Sequence, residues 1–141
     1  MKIKNLALVA LCAVATFISV GCCSKSLQGT TWAMVEYREK AFEREDDNSF
    51  KMIFNEDGTV SGVAGCNSFM SDVTFGEEDG SLRIVNKALT RAMCHNDVME
   101  NNFLRMLQAA RKYEINGSKL SLKSGDRTLA VFEATTASEK N

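Results

Sequence analysis

The sequence contains no proline and only one histidine, His95, among its 141 residues. A single imidazole excludes a catalytic pair of histidines. The chain also lacks an excess of positive charge, with 17 basic against 18 acidic residues. Because proteins that bind nucleic acid carry a basic patch or stripe, we expect no nucleic-acid partner. After residue 21, no apolar run reaches the roughly 20 residues that a membrane-spanning helix needs.

Residues 1–21 have the composition of an export signal peptide. Lys2 and Lys4 supply a positive start, and a largely apolar run extends from Leu6 to Val20. Small residues precede Cys22, in a pattern that resembles the lipobox at which a bacterial peptidase cuts before a lipid-modified cysteine. Cleavage there leaves a mature chain of 120 residues, which is enough for one domain with a modest core.

Cys22 is therefore the predicted lipidation site, and residues 22–26 are the predicted lipidated tether between a membrane and the domain. Two or more acyl chains on Cys22 would anchor the protein firmly. We expect the protein in the bacterial cell envelope, anchored to the outer membrane. Lipidation at Cys23, cleavage without lipidation and an uncleaved anchor are the alternatives.

Alternating apolar and polar residues predict a mainly β (α+β) domain over residues 27–134, followed by a flexible tail at 135–141. We predict an antiparallel meander of seven or eight strands, curled into a small barrel or half-barrel. Phe75 is predicted to face inward, and the highly charged segment 38–49 is predicted to be a solvated loop. The predicted strands are 31–37, 50–54, 59–64, 69–75, 81–86, 113–115, 119–123 and 127–134.

One helix is predicted near residues 97–112, where apolar residues recur with helical spacing. Asp97 and Glu100 have the spacing of a capping box at its start. Arg111 and Lys112 are predicted to lie in its last turn, where cations suit the helix dipole. We expect the helix to cover an open end of the sheet.

Three sequence elements together resemble the META/HslJ family of envelope proteins: Leu27-x-Gly29-Thr30-x-Trp32, Gly65-Cys66-Asn67-x-Phe69 and Leu89-Thr90-Arg91-Ala92-Met93-Cys94. The resemblance covers about residues 27–133. The chain departs from the family at His95, where members often carry proline, and in its acidic insert at 38–49. The resemblance implies a small barrel-like fold with one helix, an association with heat or drug stress and with motility or virulence, and no established catalytic residues.

Cys66 and Cys94 are the only cysteines outside the amino-terminal segment. In an oxidising envelope two such thiols tend to pair. We predict a disulfide that stabilises the fold by roughly 3–4 kcal/mol, with two buried reduced cysteines as the alternative. A zinc site with His95 lacks a fourth ligand, and a Cys94–His95 nucleophile lacks an orienting acid. We therefore predict no metal, cofactor or catalytic residue.

The other motif residues are predicted to have structural roles. Trp32, the only tryptophan, is interpreted as a core anchor in preference to a ligand-stacking residue. Gly65 suits a tight turn, and the Asn67 amide is expected to bind backbone groups there. Thr90 and Arg91 complete the second half of the motif.

The sequence favours a non-enzymatic, lipid-anchored envelope protein. We expect it to bind a protein or a hydrophobic ligand in envelope stress or secretion assembly. The alternative is a periplasmic inhibitor of a hydrolase such as lysozyme, because an exposed acidic loop at 43–47 could engage a basic enzyme.

Overall fold

The computed structural model describes residues 24–43, 50–92 and 97–135 of the chain. Within these ranges the chain forms nine β-strands and one α-helix. The predicted signal segment, Cys22 and residues 136–141 lie outside the described residues. In chain order the elements are β1 (Thr31–Tyr37), β2 (Lys40–Ala41), β3 (Phe50–Phe54), β4 (Thr59–Ala64), β5 (Asn67–Phe75), β6 (Leu82–Leu89), α1 (Asp97–Ala109), β7 (Lys112–Asn116), β8 (Lys119–Ser124) and β9 (Arg127–Thr135).

The strands form one sheet in the order β6-β5-β4-β3-β1-β9-β8-β7, and the short β2 pairs with β1 off this path. Every pair of named strands is antiparallel. The edge strands β6 and β7 approach each other at one end, through an isolated bridge between Ser81 and Lys112. The sheet is not closed along its length, so the architecture is a half-barrel. This confirms the predicted mainly β fold with one helix.

One hydrophobic core lies between the sheet and α1. Alternate side chains of β3 are buried, as the period of two in its sequence predicts. The fully buried ring of Phe103 in α1 packs against three sheet residues. Its ring centroid lies 5.2 Å from that of Phe50, 5.7 Å from Phe69 and 6.2 Å from Phe132. These aromatic contacts hold the helix against both halves of the sheet.

The helix begins at the predicted residue, Asp97, but it ends at Ala109 and has no basic residue in its last turn. The prediction that Arg111 and Lys112 lie in that turn is therefore wrong, because their backbones join the sheet. The backbone N–H of Arg111 donates to the carbonyl of Lys123 (2.8 Å), and Lys112 begins β7. The Arg111 guanidinium still caps the helix, since it donates to the carbonyl of Gln108 (2.6 Å). Among the described elements, α1 falls short of the length and apolarity that crossing a bilayer would require.

One local prediction holds only in part and another is wrong. Phe75 lies on the inward face of β5, but its side chain is 41% exposed because it lies past the end of the core, against the ring of Tyr113 (6.1 Å between centroids). In the charged segment 38–49, residues 38–41 are not a loop. They form a tight hairpin in which Tyr37 pairs with Lys40. Residues 44–49 lie outside the described residues.

Candidate functional site

The motif Gly65-Cys66-Asn67 forms the tight turn between β4 and β5. Ala64 pairs with Asn67 across a loop of two residues. Gly65 has a positive φ of 67°, and glycine at the first central position is typical of a type II′ hairpin turn. A side chain at this φ would strain the backbone. The glycine therefore allows the turn that delivers Asn67 into the protein interior.

Asn67 is the centre of a buried hydrogen-bond network, and only 3% of its surface is exposed. Its Oδ1 accepts from the backbone N–H of Ala92 (2.7 Å) and from the Thr90 hydroxyl (2.9 Å). Its Nδ2 donates to Oε2 of Glu100 (2.7 Å) and to the Ala92 carbonyl (3.2 Å). We name these four residues, Asn67, Thr90, Ala92 and Glu100, the asparagine junction.

The asparagine junction joins three parts of the fold: the β4–β5 turn, the segment after β6 and the first turns of α1. Thr90 adds two contacts with Ser68, because its hydroxyl accepts from the Ser68 N–H and its own N–H donates to the Ser68 carbonyl (both 3.0 Å). Arg91 does not join the network, and its side chain is exposed. These four hydrogen bonds of the Asn67 amide go to protein groups, so the junction positions the backbone.

The structure places the remaining predicted residues as follows. Trp32 is fully buried, and its indole Nε1 donates to the carbonyl of Leu27 (3.0 Å). Cys66 lies in the β4–β5 turn, whereas Cys94 and His95 lie outside the described residues. The disulfide between the two cysteines therefore stays a prediction. Within the ranges described, no three His, Cys, Asp or Glu side chains come together as metal ligands would.

A groove of about 310 Å³ lies between the carboxyl-terminal half of α1, the end of β1 and the start of β9. Tyr37, Met106, Ala109 and Leu129 form its floor, and Arg38, Asn102, Arg105 and Arg127 form its rim. We name this set the arginine groove. Met106 is buried, and the three arginines and Ala109 are exposed. The volume falls at the lower end of the range for small-ligand pockets.

All the charged side chains that line the arginine groove are positive. Its lining includes three arginines and no acidic residue. In the described part of the chain, ion pairs form at Lys87–Asp72 and Lys123–Glu114, and neither involves these arginines. The guanidinium of Arg38 stacks on the ring of Tyr37, with Cζ 5.2 Å from the ring centroid. The groove can therefore offer several charged donors above an apolar floor.

Arg38 is held at the rim by an unusual turn. Both central residues of the β1–β2 hairpin have positive φ, 49° at Arg38 and 63° at Glu39. This is the type I′ geometry that normally uses Asn-Gly. A residue with a Cβ pays roughly 1–2 kcal/mol for such a conformation. The backbone N–H of Arg38 also donates to the carbonyl of Leu129 (3.0 Å), which fixes the turn against β9.

The arginine groove was not predictable from the sequence, because its arginines come from three separate segments. Only the helix carried a local signal: Asn102, Arg105, Met106 and Ala109 have the spacing of one helical face. That face borders the predicted apolar stripe, so it could have been recognised as half-buried. The contributions of Arg38 and Arg127 depend on the pairing of β1 with β9, the first and last strands in the sequence.

Comparison with known proteins adds a family and a set of similar folds. The family model for the META domain matches residues 25–136. A DUF4847 family protein from Bacteroides vulgatus has a similar fold, with a TM-score of 0.59 at 15% identity over 80% of this chain and 96% of that chain. A protein from Burkholderia xenovorans solved by NMR gives 0.61 at 18% identity, over 78% and 84%. No curated protein matches the chain significantly.

Proposed function

The chain belongs to the META domain family, and from this premise we propose that it is a non-enzymatic, lipid-anchored envelope protein that binds a partner. It would act in the envelope stress response or in secretion assembly. The META domain is not a known enzyme family. The proposed mechanism is presentation: acyl chains on Cys22 hold the protein at a membrane, and the domain offers a binding surface to its partner.

The arginine groove is the observation that carries the binding role. Its floor is apolar, and its rim supplies guanidinium groups that no described acidic residue pairs. Exposed arginines beside aromatic and aliphatic side chains are common in binding sites, because they give charge recognition and apolar contact together. The strained turn at Arg38 supports a binding role, because such strain persists where it serves a site.

The attachment of the chain near its amino terminus supports presentation from a membrane. The backbone N–H of Lys25 donates to the carbonyl of Gly117 (3.0 Å), and Leu27 is buried in the core. A lipid on Cys22 would thus be connected to the sheet through a very short tether. Such a tether would hold the domain close to the membrane with a preferred end toward it.

The proposed disulfide would brace the same region as the asparagine junction. Cys66 lies in the β4–β5 turn beside Asn67, whose amide bonds Ala92 in the segment that leads to Cys94. Since Cys66 precedes Asn67 and Cys94 follows Ala92 by two positions, the bond and the junction would connect the same two segments.

The anchoring proposal is tested by replacing Cys22 with serine in the native host. We expect the variant to move from the membrane fraction to the soluble fraction, and mass spectrometry of the wild-type chain to show acyl chains on Cys22. Unchanged membrane association of Cys22→Ser would refute lipid anchoring at this residue.

The binding proposal is tested by filling the arginine groove. Ala109 is exposed on its floor, so Ala109→Trp should occupy the space without disturbing the core. Gln108→Trp adds the same bulk at an exposed neighbouring position outside the groove and serves as the control. Native mass spectrometry of each chain isolated from its host should show a bound partner with the wild type and the control but not with Ala109→Trp. Retention of the partner by Ala109→Trp would place binding elsewhere.

A further inference from the structure

The arginine groove and the amino-terminal tether lie at opposite ends of the sheet. Thr31, at the start of β1, lines one surface depression together with Lys25 and Ser118. Tyr37, at the end of the same strand, lines the arginine groove. The strand advances about 3.3 Å per residue, so the two ends of β1 lie roughly 20 Å apart. Both β1 and β9 run the whole distance between them.

Because the groove and the tether lie at opposite ends of β1, anchoring through the tether orients the groove relative to the membrane. Cys22 precedes Lys25 by three residues, and three residues of chain span at most about 10 Å. The arginine groove then points away from the anchoring membrane. With the tethered end toward the membrane, the groove is open to a segment of another protein in the surrounding compartment.

The side chains that line the groove indicate what kind of peptide segment could bind there. Arginine binds carboxylates with two parallel hydrogen bonds, because its planar guanidinium matches their geometry. Three such groups surround the floor, and no acidic residue of the lining competes for them. Between them, Met106 and Leu129 offer contacts for an apolar side chain. Such a surface fits a short peptide that has carboxylates on either side of an apolar residue.

We propose that the arginine groove binds an acidic, apolar-containing peptide segment of a partner protein, on the side of the domain that faces away from its membrane. This inference rests on the proposed binding function and specifies the partner's chemistry. Arg38, Arg105 and Arg127 recognise the carboxylates, and the floor takes the apolar side chain.

The test uses the whole mature chain carrying Cys22→Ser, with binding measured by fluorescence anisotropy. The probe is a fluorescein-labelled octapeptide of alternating Glu and Leu, and its Gln–Leu and Lys–Leu counterparts are the comparison peptides. We expect the Glu–Leu peptide alone to bind, and its affinity to fall with added salt. In NMR spectra of the labelled protein, it should shift the backbone resonances of residues around the groove.

A charge-removing double variant assigns the binding to the arginines. Arg105→Gln with Arg127→Gln should weaken Glu–Leu binding at least about tenfold, which two exposed charged contacts can supply. Arg83→Gln with Lys119→Gln removes the same charge from exposed positions outside the groove and should change affinity less than about twofold. Equal thermal unfolding midpoints would show that both variants are folded.

Three results would overturn the inference: Glu–Leu binding weaker than about 1 mM, equal losses in the two double variants, or groove resonances that shift only with phosphatidylglycerol vesicles. The last result would identify a lipid surface as the occupant. If Ala109→Trp still releases a native partner while the Glu–Leu peptide fails, the binding function stands and only the acidic-peptide assignment is wrong.

Discussion

Replacing Asn67 with alanine should be among the most destabilising polar substitutions in this domain. The change removes four hydrogen bonds, one of them to the Glu100 carboxylate. A hydrogen bond to a charged group contributes about 1.5–3 kcal/mol, and a neutral one about 0.5–1.5 kcal/mol. Since bonds within one network are not additive, we expect a loss of about 3–5 kcal/mol. That is a large share of the roughly 5–15 kcal/mol that stabilises a typical domain.

Urea denaturation followed by tryptophan fluorescence is the appropriate assay. Trp32 is the only tryptophan in the chain and is fully buried, so its emission reports on loss of the core. Asn86→Ala is the matched control, because the Asn86 side chain accepts one hydrogen bond, from the Ser71 hydroxyl (3.0 Å). We expect that control to lose about 1 kcal/mol. If Asn67→Ala costs no more than Asn86→Ala, the assignment of the asparagine junction as a structural centre is wrong.

A second substitution tests the electrostatics of the asparagine junction. Asn67→Asp retains an acceptor toward Thr90 and Ala92 but places a carboxyl where Nδ2 donated to Glu100 (2.7 Å). Repulsion between the carboxylates should raise the pKa of the introduced carboxyl in the folded state. The folded state then holds a proton to higher pH than the unfolded chain, so the variant loses stability as pH rises. Its urea midpoint should fall further between pH 5 and pH 8 than that of the wild type, and parallel profiles would contradict this account.

The remaining predictions concern two backbone positions and one surface pair. Glu39→Gly should stabilise the protein by about 0.5–1 kcal/mol in thermal unfolding, because glycine adopts the positive φ of 63° without strain. Gly62→Ala should cost about 3 kcal/mol or more in urea denaturation, because its Cβ would lie 2.8 Å from the Cα of Met52. Lys123→Gln should raise the pKa of Glu114 toward its ordinary value of 4.5 in an NMR titration, because the hydrogen bond from Lys123 holds it low. The stability that this bond adds in the wild type is present above the ordinary pKa and is lost as the pH falls through the lowered one. An unchanged Glu114 titration would contradict that assignment.

The strands and the helix were predictable where burial follows a simple period. In β3 the apolar residues alternate and are buried alternately, so the pattern alone gives the strand and its inward face. In α1 the apolar stripe recurs with helical spacing and packs on the sheet. Both patterns depend only on the spacing of neighbouring residues, so a short stretch of sequence is enough to predict them.

The predictions failed where the outcome depends on partners distant in the sequence. The end of α1 is set by the bond from the Arg111 N–H to the Lys123 carbonyl in β8, which no local helix signal encodes. Phe75 has the correct parity for the core, yet it is the last residue of β5 and its side chain is 41% exposed. The turn at Arg38 and Glu39 could not be predicted, because it lacks the glycine that normally indicates a type I′ turn.

The asparagine junction was visible in the sequence as a motif, whereas the arginine groove was not. The asparagine junction needs a glycine for a turn and an amide of fixed size, so its residue types are tightly constrained. The arginine groove needs only long cationic side chains at three strand and helix ends, and many arrangements could supply them. A binding surface of this kind can change its specificity by exchanging rim residues while the junction keeps the scaffold intact. Substitutions at residues 38, 105 and 127 should therefore change the charge of the groove and leave the asparagine junction intact.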